Sequence, residues 1–208
     1  MNNPERAAFL AYQASAGQEL SRFLGEMDYG RYEQAARLIR AAMQSGGRLH
    51  VTGIGKPGHV AAYAASLFSS TGTPAYFLHG TEAVHGSCGQ LVPGDVVICI
   101  SNSGETAELL ATLAAVRRNG CRIIGVTGGP GSTLERESDL CLIARVEEEG
   151  GPLNRAPRNS VAAELLCLAA LSAMLQAMAG LTPQQYVLRH PGGALGALRA
   201  HERQPGAS

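Results

Sequence analysis

Tryptophan is absent from this 208-residue chain and phenylalanine occurs only four times, while glycine occurs 26 times. A fold held by large aromatic anchors is thereby excluded in favour of small, tightly packed units. Charge of one sign is missing too. Seventeen basic and seventeen acidic side chains cancel, so no generic attraction to nucleic acid or to an anionic membrane is expected. Long hydrophobic runs are lacking: although 45% of residues are apolar, none of the runs reaches the roughly 18 residues of a membrane span. The stretch from Met1 to Asp28 has neither the basic start nor the apolar centre of a signal peptide. Its five cysteines, Cys88, Cys99, Cys121, Cys141 and Cys167, are odd in number and show no C-x-x-C spacing. They read as buried free thiols of a reducing compartment, so a cytoplasmic protein is expected.

What is present is a βα alternation. Helical patterns over residues 4–27 and 32–44 form an N-terminal pair, the first with Phe9, Leu10, Tyr12, Leu20, Phe23 and Leu24 on one broad stripe. Strands are expected over 48–53, 73–78, 95–100, 121–127 and 140–146, with helices between them and a strongly apolar helix over 161–178 capped by Asn159 or Ser160. A further short helix is expected over 183–188. Five strands alternating with helices predict an α/β fold, a three-layer αβα sandwich on a five-stranded parallel sheet with right-handed crossovers. The domain is expected over residues 48–200, behind a helical extension over 1–47 and ahead of a tail over 201–208.

The stretch Ser101-Asn102-Ser103-Gly104-Glu105-Thr106 joins a doubly buried strand to a helix. Its three hydroxyls and its glycine exceed what an ordinary N-cap needs, and the carboxyl edge of a sheet is where α/β folds bind ligands. The stretch reads as a phosphate cradle, supported by the free N–H groups of a helix start. Gly53-Ile54-Gly55-Lys56-Pro57-Gly58 spells G-x-G-x-x-G after a strand and before a helix. A dinucleotide fingerprint is the competing reading, weakened by Lys56 and Pro57 and by the preceding helices, and Pro57 also rules out a Walker A loop. His79, Glu82, His85 and Cys88 recur every third residue. A metal site is conceivable there, but Gly80, Gly86 and Gly89 break a regular helix, and the alternative is one His in substrate binding with the others capping and packing. No metal and no cofactor are expected. Glu147-Glu148-Glu149 follows the last strand on the cradle's edge, where a charge run is commonly solvated and one glutamate is a plausible catalyst.

With the cradle, the Gly55-Lys56 loop, His85-Gly86 and His190-Pro191-Gly192-Gly193-Ala194-Leu195-Gly196 in view, the chain resembles the sugar isomerase (SIS) family, and within it the arabinose-5-phosphate isomerases. The likeness runs from about Leu49 to Leu198. It implies a sugar-phosphate substrate and a homo-oligomer, a dimer or tetramer, with active sites at subunit interfaces. It also implies that Ser101, Ser103 and Thr106 hold the phosphate beside Gly55, and that Lys56, Glu108, Glu149, His85 and His190 are catalytic. The implied activity is aldose–ketose isomerisation through an enediol, feeding lipopolysaccharide or capsule sugar synthesis. Glu149 or, less favoured, Glu108 would be the base, Lys56 would stabilise the enediolate, and the histidines would open the ring or shuttle protons. Three features depart from those enzymes: Pro57 stands where a Ser is common, Arg158-Asn159-Ser160 replaces a hydroxyl-rich turn, and no paired CBS domains follow Gly196. The alternative is a non-catalytic sugar-phosphate sensor, although the first 48 residues lack a basic recognition helix.

Overall fold

The computed structural model describes residues 3–203. The chain runs α1 (Pro4–Gly25), α2 (Tyr29–Gln44), β1 (Leu49–Gly53), α3 (Lys56–Ser70), β2 (Ala75–Phe77), α4 (Gly80–Ala83), β3 (Val96–Ile100), α5 (Ala107–Arg118), β4 (Arg122–Thr127), α6 (Thr133–Glu137), β5 (Leu140–Ile143), α7 (Asn159–Ala179) and α8 (Pro183–Leu188). Short 3₁₀ turns cover Ser87–Gln90, Ala194–Gly196 and Ala200–Arg203. Of the expected tail, residues 204–208 lie outside the described part, as do residues 1 and 2 of the N-terminal extension.

The sheet has five parallel strands in the order β2-β1-β3-β4-β5, as the alternation predicted. β-Branched, apolar strands bury both faces because helices cover both. On one face Val51, Ile98, Ile124 and Val126 pack with α2, α3 and α7. On the other Val97, Cys99 and Ile123 pack with Leu109, Leu113 and Val116 of α5 and Leu134 of α6. The order reverses between β1 and β3, so their two outgoing loops diverge and leave a crevice at the carboxyl edge. All five cysteines are free and buried, as expected.

The opposite, amino edge is tied by one buried carboxylate. Asp95 accepts from the N–H of Arg48 at 2.8 Å and of Val92 at 3.0 Å, from the Arg48 guanidinium at 3.0 Å, and meets His50 Nε2 at 3.1 Å. Burial alone would raise its pKa, but the two backbone donors and the guanidinium outweigh that and hold it below the ordinary carboxylate range. His50 is lowered as well, but by its burial, against the pull of Asp95.

Several element ends differ from the sequence expectation. The α1 stripe is buried only in part: Phe23 and Leu20 pack on the core, whereas Phe9, Leu10 and Leu24 are 65%, 47% and 50% exposed. α1 lies outside the covering layer and meets the domain through Ser15, Glu19 and Phe23. β2 is confined to Ala75–Phe77, the residues in register with Leu49, His50 and Val51. β5 stops at Ile143 instead of Val146, because the chain leaves the sheet after the Ala144 N–H donates to Thr127. It then crosses to α1, where the Glu147 N–H donates to buried Glu19 at 2.8 Å.

α7 has the length and mean hydropathy of a membrane span, 21 residues at 1.8. Its buried side, Ala163, Cys167, Leu168, Leu171 and Leu175, belongs to the core beneath the sheet. Only 39% of its apolar window is buried within the chain, and Val161, Leu165, Leu166 and Ala169 on another side line a cavity.

Candidate functional site

The crevice loop after β3 is rigid before any ligand arrives. Ser101 is buried, its hydroxyl lies 3.0 Å from that of Thr106, and it also accepts from the Gly104 N–H at 3.1 Å. The Ser103 hydroxyl accepts from the Glu105 N–H at 3.2 Å. These side-chain bonds hold the chain out of the helix: α5 starts only at Ala107, and Thr106 occupies the N-cap without a side-chain capping bond. Its hydroxyl is spent closing the loop. Gly104 has φ +67°, and a Cβ there would collide with the Ser132 side chain, so the sharp turn requires glycine. Underneath, the Thr127 hydroxyl donates to the Asn102 carbonyl at 3.1 Å, the Gly128 N–H donates to the same carbonyl, and Glu105 accepts from the Thr133 N–H at 2.7 Å. That last bond holds the Glu105 carboxyl below its usual range. Among the described residues the N–H groups of Asn102, Ser103, Thr106, Ala107 and Glu108 have no acceptor. A loop with pre-oriented hydroxyls and free N–H groups at a helix start has the donors that an anion requires.

Across the crevice, β1 delivers Gly55 and Lys56. Gly55, at φ +65°, sits at the N-cap of α3, Lys56 opens the helix, and Pro57 occupies the first turn, where its missing N–H costs nothing. Lys56 is exposed and makes no salt bridge among the described residues. It borders an apolar cavity of about 640 Å³ between α3 and α7, lined also by His59, Tyr63, Val161 and Leu165. A second cavity of about 260 Å³ lies beside the β1 loop, against Gly55, His59, Phe77 and His79.

Glu149 is fixed by a device that spacing alone does not reveal. Asn154, with φ +46°, turns its side-chain oxygen onto the N–H groups of Glu149 at 2.6 Å and Gly150 at 3.2 Å. Glu149 in turn accepts from the N–H of Arg158 at 2.6 Å and of Ser160 at 3.2 Å. It is therefore the N-terminal cap of α7, a role the sequence suggested for Asn159 or Ser160. Those two lie inside the first turn and are buried. The helix is capped from a loop ten residues upstream of its first residue, and the carboxylate stands at the positive end of the longest buried helix.

The remaining sequence candidates divide. Glu108 is exposed in the first turn of α5, next to the cradle, and His85 is exposed just past α4, on the same edge. His79 does not face His85 as a metal partner: its ring accepts from the Glu82 N–H at the start of α4. Cys88 is buried with its thiol pushed up by burial, and no metal-holding group of three His, Cys, Asp or Glu occurs among the described residues. His190 is the outlier. Its Nδ1 lies 2.9 Å from the Tyr186 carbonyl, its ring stacks on Tyr186, and α8 packs near Thr71 and Leu181 at the amino edge. From Glu149 that is the whole length of α7, about 30 Å at 1.5 Å per residue. One copy of the chain does not bring His190 to the cradle.

Two residues of the site region escaped sequence reasoning. Asn154 had no signal beyond a turn-prone composition. Glu164, a buried acid in α7, had one: it is the only charged residue in a run of aliphatic neighbours from Val161 to Met178.

Comparison with known proteins identifies the fold and the family. Residues 43–174 match the SIS domain model. The arabinose 5-phosphate isomerase KdsD of Escherichia coli K12 is 43% identical over 150 residues, 72% of this chain and 46% of that protein. The chain thus spans about half the length of the curated relatives it matches. A structure of an E. coli CFT073 protein in complex with arabinose 5-phosphate is 35% identical at TM-score 0.78, covering 92% of this chain and all of that one. A Listeria monocytogenes structure reaches TM-score 0.84 at 27% identity over the same 92% of this chain and all of its own. With a family match across most of its length and these relatives on the same fold, this chain is a member of the SIS domain family.

Proposed function

We propose that the chain is a phosphosugar isomerase that interconverts an aldose and a ketose phosphate, with arabinose 5-phosphate and ribulose 5-phosphate as the pair. The observation that carries this reading is the pre-formed cradle, Ser101 to Thr106, sharing one crevice edge with the Lys56 loop and with the Glu149 carboxylate. The names of the curated relatives and the sugar-phosphate complex of the E. coli CFT073 protein support the choice of sugar.

Isomerisation removes a weakly acidic proton beside a carbonyl and returns it to the neighbouring carbon. Ser101, Ser103, Thr106 and the free N–H groups hold the phosphate, leaving the sugar's other end toward Glu149 and Lys56. Glu149 takes the proton from carbon, the bonding electrons stay on the enediolate, and the Lys56 ammonium stabilises the oxygen on which charge develops. Glu108 is the second carboxylate in reach of that edge. His85 opens the ring or relays protons on the hydroxyl side. His190 is supplied by a second copy, which makes the working unit a homo-oligomer with interfacial sites; exposed Phe9, Leu10 and Leu24 on α1 are surface for such contact. The setting is the cytoplasm, and the product enters lipopolysaccharide or capsule sugar synthesis.

The test combines ligand binding with subunit mixing. A thermal-shift panel of pentose, hexose and heptose phosphates should raise the melting temperature most for arabinose 5-phosphate, since a ligand of the folded state stabilises it. Lys56→Ala and His190→Ala should each abolish turnover. Mixed and re-equilibrated as dimers, they should recover about a quarter of wild-type activity, because one site in each mixed dimer is intact. Preference for another sugar overturns the substrate; inactive mixtures overturn the shared site.

A further inference from the structure

Glu164 is out of character with the helix that carries it. It is 1% exposed, and neither of its carboxylate oxygens has a hydrogen-bond partner among the described residues. Ser160, one turn earlier on the same face, is fully buried and its hydroxyl is likewise unpartnered. Helical side chains lean toward the amino end, so the Glu164 carboxyl reaches back to the Ser160 turn. The N–H of Ser160 is one of the two that Glu149 holds. Two carboxyls therefore share the start of α7, one at its mouth and one inside.

We propose that Glu164 is a positioning residue for Glu149: a buried, proton-bearing acid one helical turn behind the base, so that the pair carries one negative charge during turnover and loses activity when it carries two. Burial, and then the charge of Glu149, pushes the Glu164 carboxyl up to about 8. The other groups around it do not compete for this role. Cys167 on the same helix is pushed up to about 12, and the Tyr32 hydroxyl of α2 is raised by burial and by Cys167. Glu19 of α1 is committed to Arg22 and to the Glu147 N–H. Lys56 and His59 of α3 face a different stripe of α7, against Val161, Leu165 and Leu166.

In the reaction the substrate proton passes to Glu149, its electron pair stays on the enediolate, and Glu164 keeps its own proton throughout. An ionised Glu164 would set a second buried charge against that enediolate. The inference rests on Glu149 as the base, and its test separates the two claims. In substrate-free protein with 13C-labelled glutamate carboxyls, one carboxyl should titrate near pH 8. It should be missing from Glu164→Gln and should move to lower pH in Glu149→Gln. In turnover, the wild type should slow several-fold between pH 7 and pH 9, while Glu164→Gln and Glu164→Leu should hold their pH 7 rates to pH 9. An unmoved or absent resonance, or a decline that persists in both Glu164 variants, overturns the proposal. Full turnover of Glu149→Gln would instead remove Glu149 as base, and the carboxyl titration would still decide the charge pairing.

Discussion

Replacing Glu149 separates two jobs held by one carboxylate. As a cap it accepts from two N–H groups, of Arg158 and Ser160. Losing such a cap costs about 0.5–2 kcal/mol, and losing the negative charge at a helix start costs about 0.3–1 kcal/mol more. Glu149→Ala should therefore destabilise the chain by about 2 kcal/mol, the middle of that summed range. With a urea slope of about 2–3 kcal/mol per molar for a domain of this size, the midpoint should fall by about 0.8 M. Glu149→Gln keeps an oxygen acceptor and loses only the charge, so its midpoint should fall by about 0.2–0.3 M. Both variants lack the proposed base, and removing a general base costs about 10²–10⁴ in rate. Urea denaturation followed by circular dichroism, beside a coupled isomerase assay, reads both quantities on the same preparations. A Glu149→Gln enzyme within tenfold of wild-type turnover refutes the base, and a Glu149→Ala protein as stable as wild type refutes the cap.

Gly104→Ala should leave the sheet intact but distort the cradle, since the new methyl meets Ser132 and φ is +67°. Sugar-phosphate affinity should drop by more than tenfold in calorimetry, and unchanged affinity would deny the cradle its role. Asp95→Ala leaves two part-buried backbone donors and buried His50 without their acceptor, which should cost about 2–4 kcal/mol with turnover per folded molecule preserved. Glu164→Gln should stabilise the protein increasingly as pH rises from about 4.5 to 8. In that window the wild-type fold keeps a proton that the unfolded chain releases, so the Glu164 contribution to stability falls as pH rises, by up to about 1.4 kcal/mol per unit, offset below about pH 6.5 by the opposite contribution of His50. On the acid side the sign reverses. His50 is lowered and Asp95 is held low, so stability falls as pH drops below about 6.5 and again below about 4, where the unfolded chain takes up protons first. Urea midpoints from pH 4 to 9 should pass through a maximum that Glu164→Gln moves upward.

The sheet was legible because each strand is a short apolar run bounded by turn residues, a local signal. The cradle was legible for the same reason, its three hydroxyls and glycine lying within six residues. What escaped depended on partners remote in sequence. Nothing near Asn159 says that its helix is capped by Glu149, and α1 has an apolar stripe whose lack of cover within the chain is visible only in three dimensions. β5 ended early because Glu19, 128 residues before Glu147, draws the chain out of the sheet. His190 stands in a sequence motif, but a motif carries no information on which copy of the chain it serves.

The Asp95 node gives the fold a division of labour between its two edges. The strand starts are tied by one buried cluster that touches none of the cradle residues, whereas the loops where the strands end are tied separately, to one another and to α1. Substitutions that retune the Pro57 loop or the Arg158 turn for another sugar leave the Arg48–His50–Asp95 clamp untouched. The architecture thereby gives its ligand-facing edge mutational room, and new specificities can be tried there without first being matched by compensating changes in the scaffold.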